Sequence, residues 1–88
     1  MSRLLTLYSR PGCHLCEVMK ATVEATISGR NVILDEVNVD LDSDLVGRFG
    51  DQVPVLVLDG RRIAKYRIDA ETLTRALESR VSRKTTSP

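Results

Sequence analysis

The sequence predicts an α/β domain in which one four-stranded mixed sheet carries helices on both faces, in the order β-α-β-α-β-β-α. Three observations support that expectation. Leu4 to Tyr8 is a short run with apolar side chains on both faces, as a buried central strand has. A stretch of helical spacing separates it from a second such run, Val32 to Val39, so these two strands should be parallel with a right-handed crossover. Further on, Val53 to Leu58 meets Arg61 to Arg67 across Asp59-Gly60, a two-residue hairpin signal.

Each element has a local reason. After the first strand, Ser9-Arg10-Pro11-Gly12 is a turn, because proline fixes φ and glycine frees it. A helix follows from about Cys13 to Ser28, with Leu15, Met19, Thr22 and Val23 on one apolar stripe and Cys16 at its start. Gly29 stops it. The second strand draws its apolar content from Val32, Ile33, Leu34, Val37 and Val39. In the short helix that comes next, Asp42 suits the N-cap and Asp44 the first turn, while Leu45, Val46 and Phe49 form the apolar side. Gly47 weakens this helix and Gly50 ends it. The last helix starts at Asp69, with Ile68 and Leu73 spaced as a hydrophobic staple. Leu73, Ala76, Leu77 and Val81 continue its stripe, and Arg75 and Arg80 suit its negative C-terminal end. The expected organisation is one domain over residues 1–81 and a flexible polar tail over 82–88.

Composition narrows the classes. Eighty-eight residues, 42% of them hydrophobic, suffice for one modest core and argue against disorder. A net charge of +1 gives no mandate for nucleic acid or an acidic membrane surface. Charge is nevertheless uneven. Asp35, Glu36, Asp40, Asp42, Asp44 and Asp51 crowd the middle, and Arg61, Arg62, Lys65 and Arg67 crowd the hairpin. The N-terminal apolar run is too short for a signal-peptide core or a bilayer span, so a cytoplasmic location and no membrane contact are expected.

The chemistry concentrates at Cys13-His14-Leu15-Cys16, which holds the chain's two cysteines. Residues three apart share one face of a helix, so both thiols fit one turn. Cys13, at or just before the first helical residue, meets unpaired N–H groups and the positive end of the helix dipole. Both favour thiolate, the nucleophile of disulfide exchange, and Arg10 adds a cation nearby. Cys16, one turn deeper, is placed to attack a mixed disulfide formed on Cys13. His14 as imidazolium would stabilise the Cys13 thiolate; as a bystander it is an exposed first-turn residue. Two rival readings stand beside this one. A zinc site takes about four ligands, and Cys13, Cys16 and His14 supply too few unless two copies share the metal. The cysteines could also be inert core residues. The spacing beside a βαβ pattern is a thioredoxin-like redox signature.

Across nearly the whole chain, from Leu4 to about Val81, the sequence resembles the glutaredoxin-like branch of the thioredoxin superfamily. Tyr8-Ser9-Arg10-Pro11-Gly12 followed by the two cysteines resembles that family's stretch of tyrosine, serine, a basic residue, proline, glycine and CxxC. Gln52-Val53-Pro54 resembles its Thr-Val-Pro. The base rate for X–Pro bonds favours trans at Pro54; the resemblance implies cis, with Pro54 beside Cys13. It further implies that the backbone of Val53 pairs with the substrate's and that Arg10 supports the thiolate or a glutathione carboxylate. Three departures accompany it: His14-Leu15 replaces Pro-Tyr, Gln52 replaces threonine, and Tyr66-Arg67-Ile68-Asp69-Ala70 stands where glutaredoxins hold glutathione with Gly-Gly and an acid.

The expected activity is thiol-disulfide exchange, with Cys13 as nucleophile, Cys16 as resolving cysteine, and Arg10, Val53 and Pro54 on the substrate side. The expected protein is a monomer with no bound cofactor or metal. Its substrate would be a disulfide-containing protein or a small thiol, and its reductant glutathione or a thioredoxin-reductase-type flavoprotein. The alternative is a thioredoxin-fold binding module, or a metal-bridged dimer, without redox turnover.

Overall fold

The computed structural model describes residues 3–78. The last-helix positions Arg80 and Val81, the domain limit at residue 81 and the tail lie outside them. In chain order the elements are β1 (Arg3–Ser9), α1 (His14–Ile27), β2 (Val32–Asn38), a 3₁₀ turn (Val39–Leu41), α2 (Ser43–Phe49), β3 (Val55–Leu58), β4 (Arg61–Lys65) and α3 (Ala70–Glu78). The four strands form one sheet in the order β2-β1-β3-β4. β1 runs parallel to β2 and antiparallel to β3, and β4 is antiparallel to β3. This is the expected α/β architecture.

The core follows from strand alternation. Leu5 and Leu7 pair with Leu58 and Leu56 across β1 and β3, so all four point to one face. Met19 and Val23 of α1 and Leu73 and Leu77 of α3 complete the same buried cluster. Each such side chain contributes on the order of 1.5–3 kcal/mol by leaving water. The other face carries Tyr8, whose ring stacks on Phe49 of α2 at 4.6 Å between centroids. Helices therefore lie on both sides of the sheet, and the α2 side is the thinner layer: no residue of α2 is fully buried. Leu4 and Ile33, paired in register on that side, remain 44% and 56% exposed.

β1 is one residue longer at each end than the run Leu4 to Tyr8, and further details of the boundaries have local reasons. Cys13 keeps extended backbone (φ −89°, ψ 109°) and serves as the N-cap of α1. β2 stops at Asn38, whose side chain accepts the Asp40 N–H at 2.9 Å and starts the 3₁₀ turn. Val39 is fully buried as a turn residue. β3 begins at Val55 rather than Val53, and the Val53–Pro54 peptide that precedes it is cis, as the resemblance implies. β4 ends at Lys65, because Tyr66 takes φ +68° and the Arg67 N–H bonds back to the Lys65 carbonyl at 2.8 Å, a γ-turn. The α3 cap is as expected: Asp69 Oδ1 accepts the Thr72 N–H at 2.7 Å.

Candidate thiol site at the start of the first helix

Three turn features deliver the cysteines to the end of the sheet. Gly12 adopts φ +78°, open to glycine at no steric cost, and the Cys13 N–H returns to the Arg10 carbonyl at 3.3 Å. The chain thus reverses from β1 into α1 within four residues. Cys13 then caps the helix through its sulfur: Sγ accepts the Cys16 N–H at 3.1 Å, where a serine or aspartate oxygen would ordinarily sit. The Cα atoms of Cys13 and Cys16 are 5.2 Å apart, and the two sulfurs are joined as a disulfide. Cys13 is half-buried, whereas Cys16 is 3% exposed. Of the two residues, Cys13 is the nearer to the surface.

Both cysteines line a cleft of about 380 Å³ between α1 and the ends of β1 and β2. Its polar wall is a chain of contacts. Buried Ser9 donates to Glu36 Oε2 at 3.1 Å, and the other Glu36 oxygen pairs with Lys20 Nζ at 3.0 Å. That hydrogen bond, with the charge of Glu36 behind it, raises the lysine's pKa above its ordinary value. The sequence reading did not single out Ser9, Lys20, Glu36 or Asn38 at this cleft. Lys20 was within reach of it, since Cys16 and Lys20 are four apart on one helix face. Glu36 was not, because its arrival depends on the register of β2 against β1.

Arg10 lines the same cleft, and its charge is shared. Nη2 pairs with Asp40 at 2.6 Å and Nη1 donates to the Gly50 carbonyl at 3.0 Å. The hydrogen bond and charge of Asp40 raise its pKa further. Arg10 therefore ties the loop before Cys13 to the 3₁₀ turn and the end of α2. His14 is exposed on the outer surface of the first turn.

On the other side, sheet register brings Pro54 to the level of Ser9, because Val55 pairs with Tyr8 in antiparallel β1 and β3. Pro54 is buried and Val53 half-buried. The segment is held from β4: the Tyr66 N–H donates to the Pro54 carbonyl at 2.8 Å and the Tyr66 hydroxyl to the Asp51 carbonyl at 3.1 Å. Arg62 Nη1 donates to Gln52 Oε1 at 3.1 Å. Asp69, the acid standing where glutaredoxins hold glutathione, is turned to its own helix. Its hydrogen bonds from Thr72 hold the carboxyl below the usual range. Among the described residues no group of three His, Cys, Asp or Glu side chains is arranged to hold a metal ion, and no helix is long and apolar enough to cross a membrane.

Comparison with known proteins places this geometry. Residues 4–78 match the family described as Glutaredoxin-like domain (DUF836). A relative from Dictyostelium discoideum, "Glutaredoxin-like protein YDR286C homolog", is 30% identical over 81 residues, covering 85% of this chain and 75% of its own. The X-ray structure of target protein XcR50 from X. campestris is 33% identical, with a TM-score of 0.70 over 85% of this chain and 96% of that one. A mutant thioredoxin from Halobacterium salinarum, 24% identical, superposes with a TM-score of 0.66 over 88% of this chain and 73% of its own, which speaks for the fold alone. With its cysteine pair at the head of α1 and a match spanning all three helices and four strands, this chain belongs to the glutaredoxin-like family and has the thioredoxin fold.

Proposed function

We propose that this protein is a dithiol-disulfide oxidoreductase. The observation that carries the reading is the Cys13–Cys16 pair itself, one sulfur accessible at the helix N-cap and the other buried one turn inside. The reduced Cys13 sulfur faces the free N–H groups and positive pole of α1, which favour thiolate. That thiolate attacks one sulfur of the substrate disulfide, forming a mixed disulfide and releasing the first substrate half as a thiol. Cys16 then loses its proton and attacks Cys13 Sγ, releasing the second half. Two electrons pass to the substrate, two protons end on its thiols, and Cys13–Cys16 is left as the disulfide.

The remaining site residues take roles consistent with their positions. Val53, half-buried and next to Pro54, offers an edge along which a substrate strand can add. Arg10 retains guanidinium N–H donors beyond those used on Asp40 and Gly50, open to a substrate carboxylate. His14 supplies a tuning charge one residue from Cys13. The protein acts as a monomer in the cytoplasm on thiol or disulfide substrates, with no resident cofactor and with an external reductant closing the cycle.

The family suggests glutathione as reductant, but the chain has Tyr66-Arg67 in place of the glycines, and Asp69 is committed to Thr72. A coupled assay offering glutathione and a thioredoxin-reductase-type flavoprotein separately decides the reductant. Turnover with the flavoprotein and little with glutathione is the expected result. Brisk turnover with glutathione alone would show that the glycines are dispensable for its use.

A further inference from the structure

The face of the sheet that carries α2 has a charge pattern that disulfide chemistry does not require. Val55 and Val57 of β3, two apart, share that face with Tyr8 and Thr6 of β1. Opposite them on β4 stand Lys65 and Arg62, which are three apart. In a regular strand, residues three apart point to opposite faces. The irregularity between Leu56 and Val57 puts one extra residue, Ile63, into β4, and so both cations come to the same face. They flank the Val53–Pro54 segment directly. Arg62 donates to Gln52, and the Lys65 ammonium lies 5.5 Å from the centroid of the Tyr66 ring, whose hydroxyl holds Asp51. Arg48 joins from α2, over the ring of Phe49, whose carbonyl accepts the Gln52 N–H. Arg67 follows the γ-turn. Among the described residues none of these four cations has a carboxylate partner, whereas Arg3, Arg10, Lys20, Arg30 and Arg75 each have one.

Edge strands often carry cations to resist pairing with foreign strands. That accounts for charge on β4. It does not account for a bulge that turns two of the charges toward the substrate edge, nor for Arg48 on another element.

We propose that Arg48, Arg62, Lys65 and Arg67 form a cationic docking surface beside Val53–Pro54 that selects acidic polypeptides as disulfide partners. The proposal rests on the oxidoreductase reading and names the substrate class for that site. A polypeptide added along Val53 would run its flanking residues across this surface, where acidic side chains gain attraction and basic ones repulsion.

The test compares an acidic peptide disulfide, a basic one of equal length and a small neutral disulfide on wild type and on a Lys65→Glu/Arg67→Glu variant. Wild type should favour the acidic peptide, and added salt should erode that preference. The variant should lose about tenfold in kcat/KM on the acidic peptide relative to the neutral disulfide, and gain on the basic one. An unchanged ratio, or equal losses on both peptides, would overturn the proposal. With glutathione disulfide as a fourth substrate, a loss in the variant confined to it would also overturn the proposal, since the cations would then serve the tripeptide's carboxylates. Affinity of the Cys13→Ser/Cys16→Ser protein for the same peptides separates the two readings. Charge preference in binding without turnover in the wild type would sink the oxidoreductase reading alone, and binding without charge preference would sink this one.

Discussion

Asp69 is where a single side chain most clearly links sequence to stability. Its carboxylate accepts hydrogen bonds from Thr72, and these lower its pKa in the folded state below the ordinary 3.8. A group with a depressed folded pKa stabilises the fold above its unfolded pKa, and that contribution fades as pH falls through the folded value. Wild type should therefore lose part of its thermal stability as pH drops from about 5 to about 2. Asp69→Asn keeps a cap but not a charge, so its Tm should fall less steeply over that range. Parallel slopes for the two proteins, measured by thermal melts, would show that Asp69 does not carry the effect. The same residue shows how position can mislead: the resemblance assigns an acid there to glutathione, whereas its partner is its own helix. Tyr66 is the complementary case. A bulky residue with φ +68° is unfavourable on its own, and its two hydrogen bonds to the Asp51 and Pro54 carbonyls fix it as the bracket of the segment between them.

Among elements, the decisive relation is between the loop before α1 and the end of α2. Arg10 reaches both Asp40 and the Gly50 carbonyl, four residues before Pro54. The loop before Cys13 and the chain leading to Pro54 are thereby tied together by one side chain. Arg10→Ala and Asp40→Asn should each lower Tm by up to a few degrees, and the double variant should add little beyond Arg10→Ala. Fully additive shifts in the melts would show that the two residues act independently. The elements themselves were largely legible in sequence, because their signals are local. Apolar alternation, Gly29, Asp42, Asp59-Gly60 and Asp69 each speak for their own neighbourhood. The misses were non-local. Val39 reads as strand because it is β-branched and apolar, yet the Asn38 side chain turns the backbone there. The Ile63 bulge cannot be read from β4 alone, since it exists only against β3. Lys20 and Glu36 meet at the cysteines through helix packing and strand register, and no spacing in the chain announces that.

At the scale of the whole molecule, the sheet separates two charge regimes. β2, at one edge, presents Asp35 and Glu36, while β4, at the other, presents Arg61, Arg62 and Lys65. Between the edges, the central strands β1 and β3 end at the cysteine loop and at Pro54. The sequence already contained this asymmetry as an acidic middle and a basic hairpin, but only the strand order puts the cationic edge beside Val53–Pro54 and brings Glu36 of the acidic edge to the wall of the cysteine cleft. The central claim is that one sulfur attacks and the other resolves, and a single-turnover reaction followed by mass spectrometry tests it most directly. Reduced protein is mixed with one equivalent of a disulfide. Wild type should release both substrate halves as thiols and end lighter by two hydrogens. Cys16→Ser should keep one half covalently on Cys13, and Cys13→Ser should leave the disulfide intact. If Cys13→Ser consumed the disulfide as fast as wild type, or the trapped half mapped elsewhere than Cys13, the assignment would be contradicted.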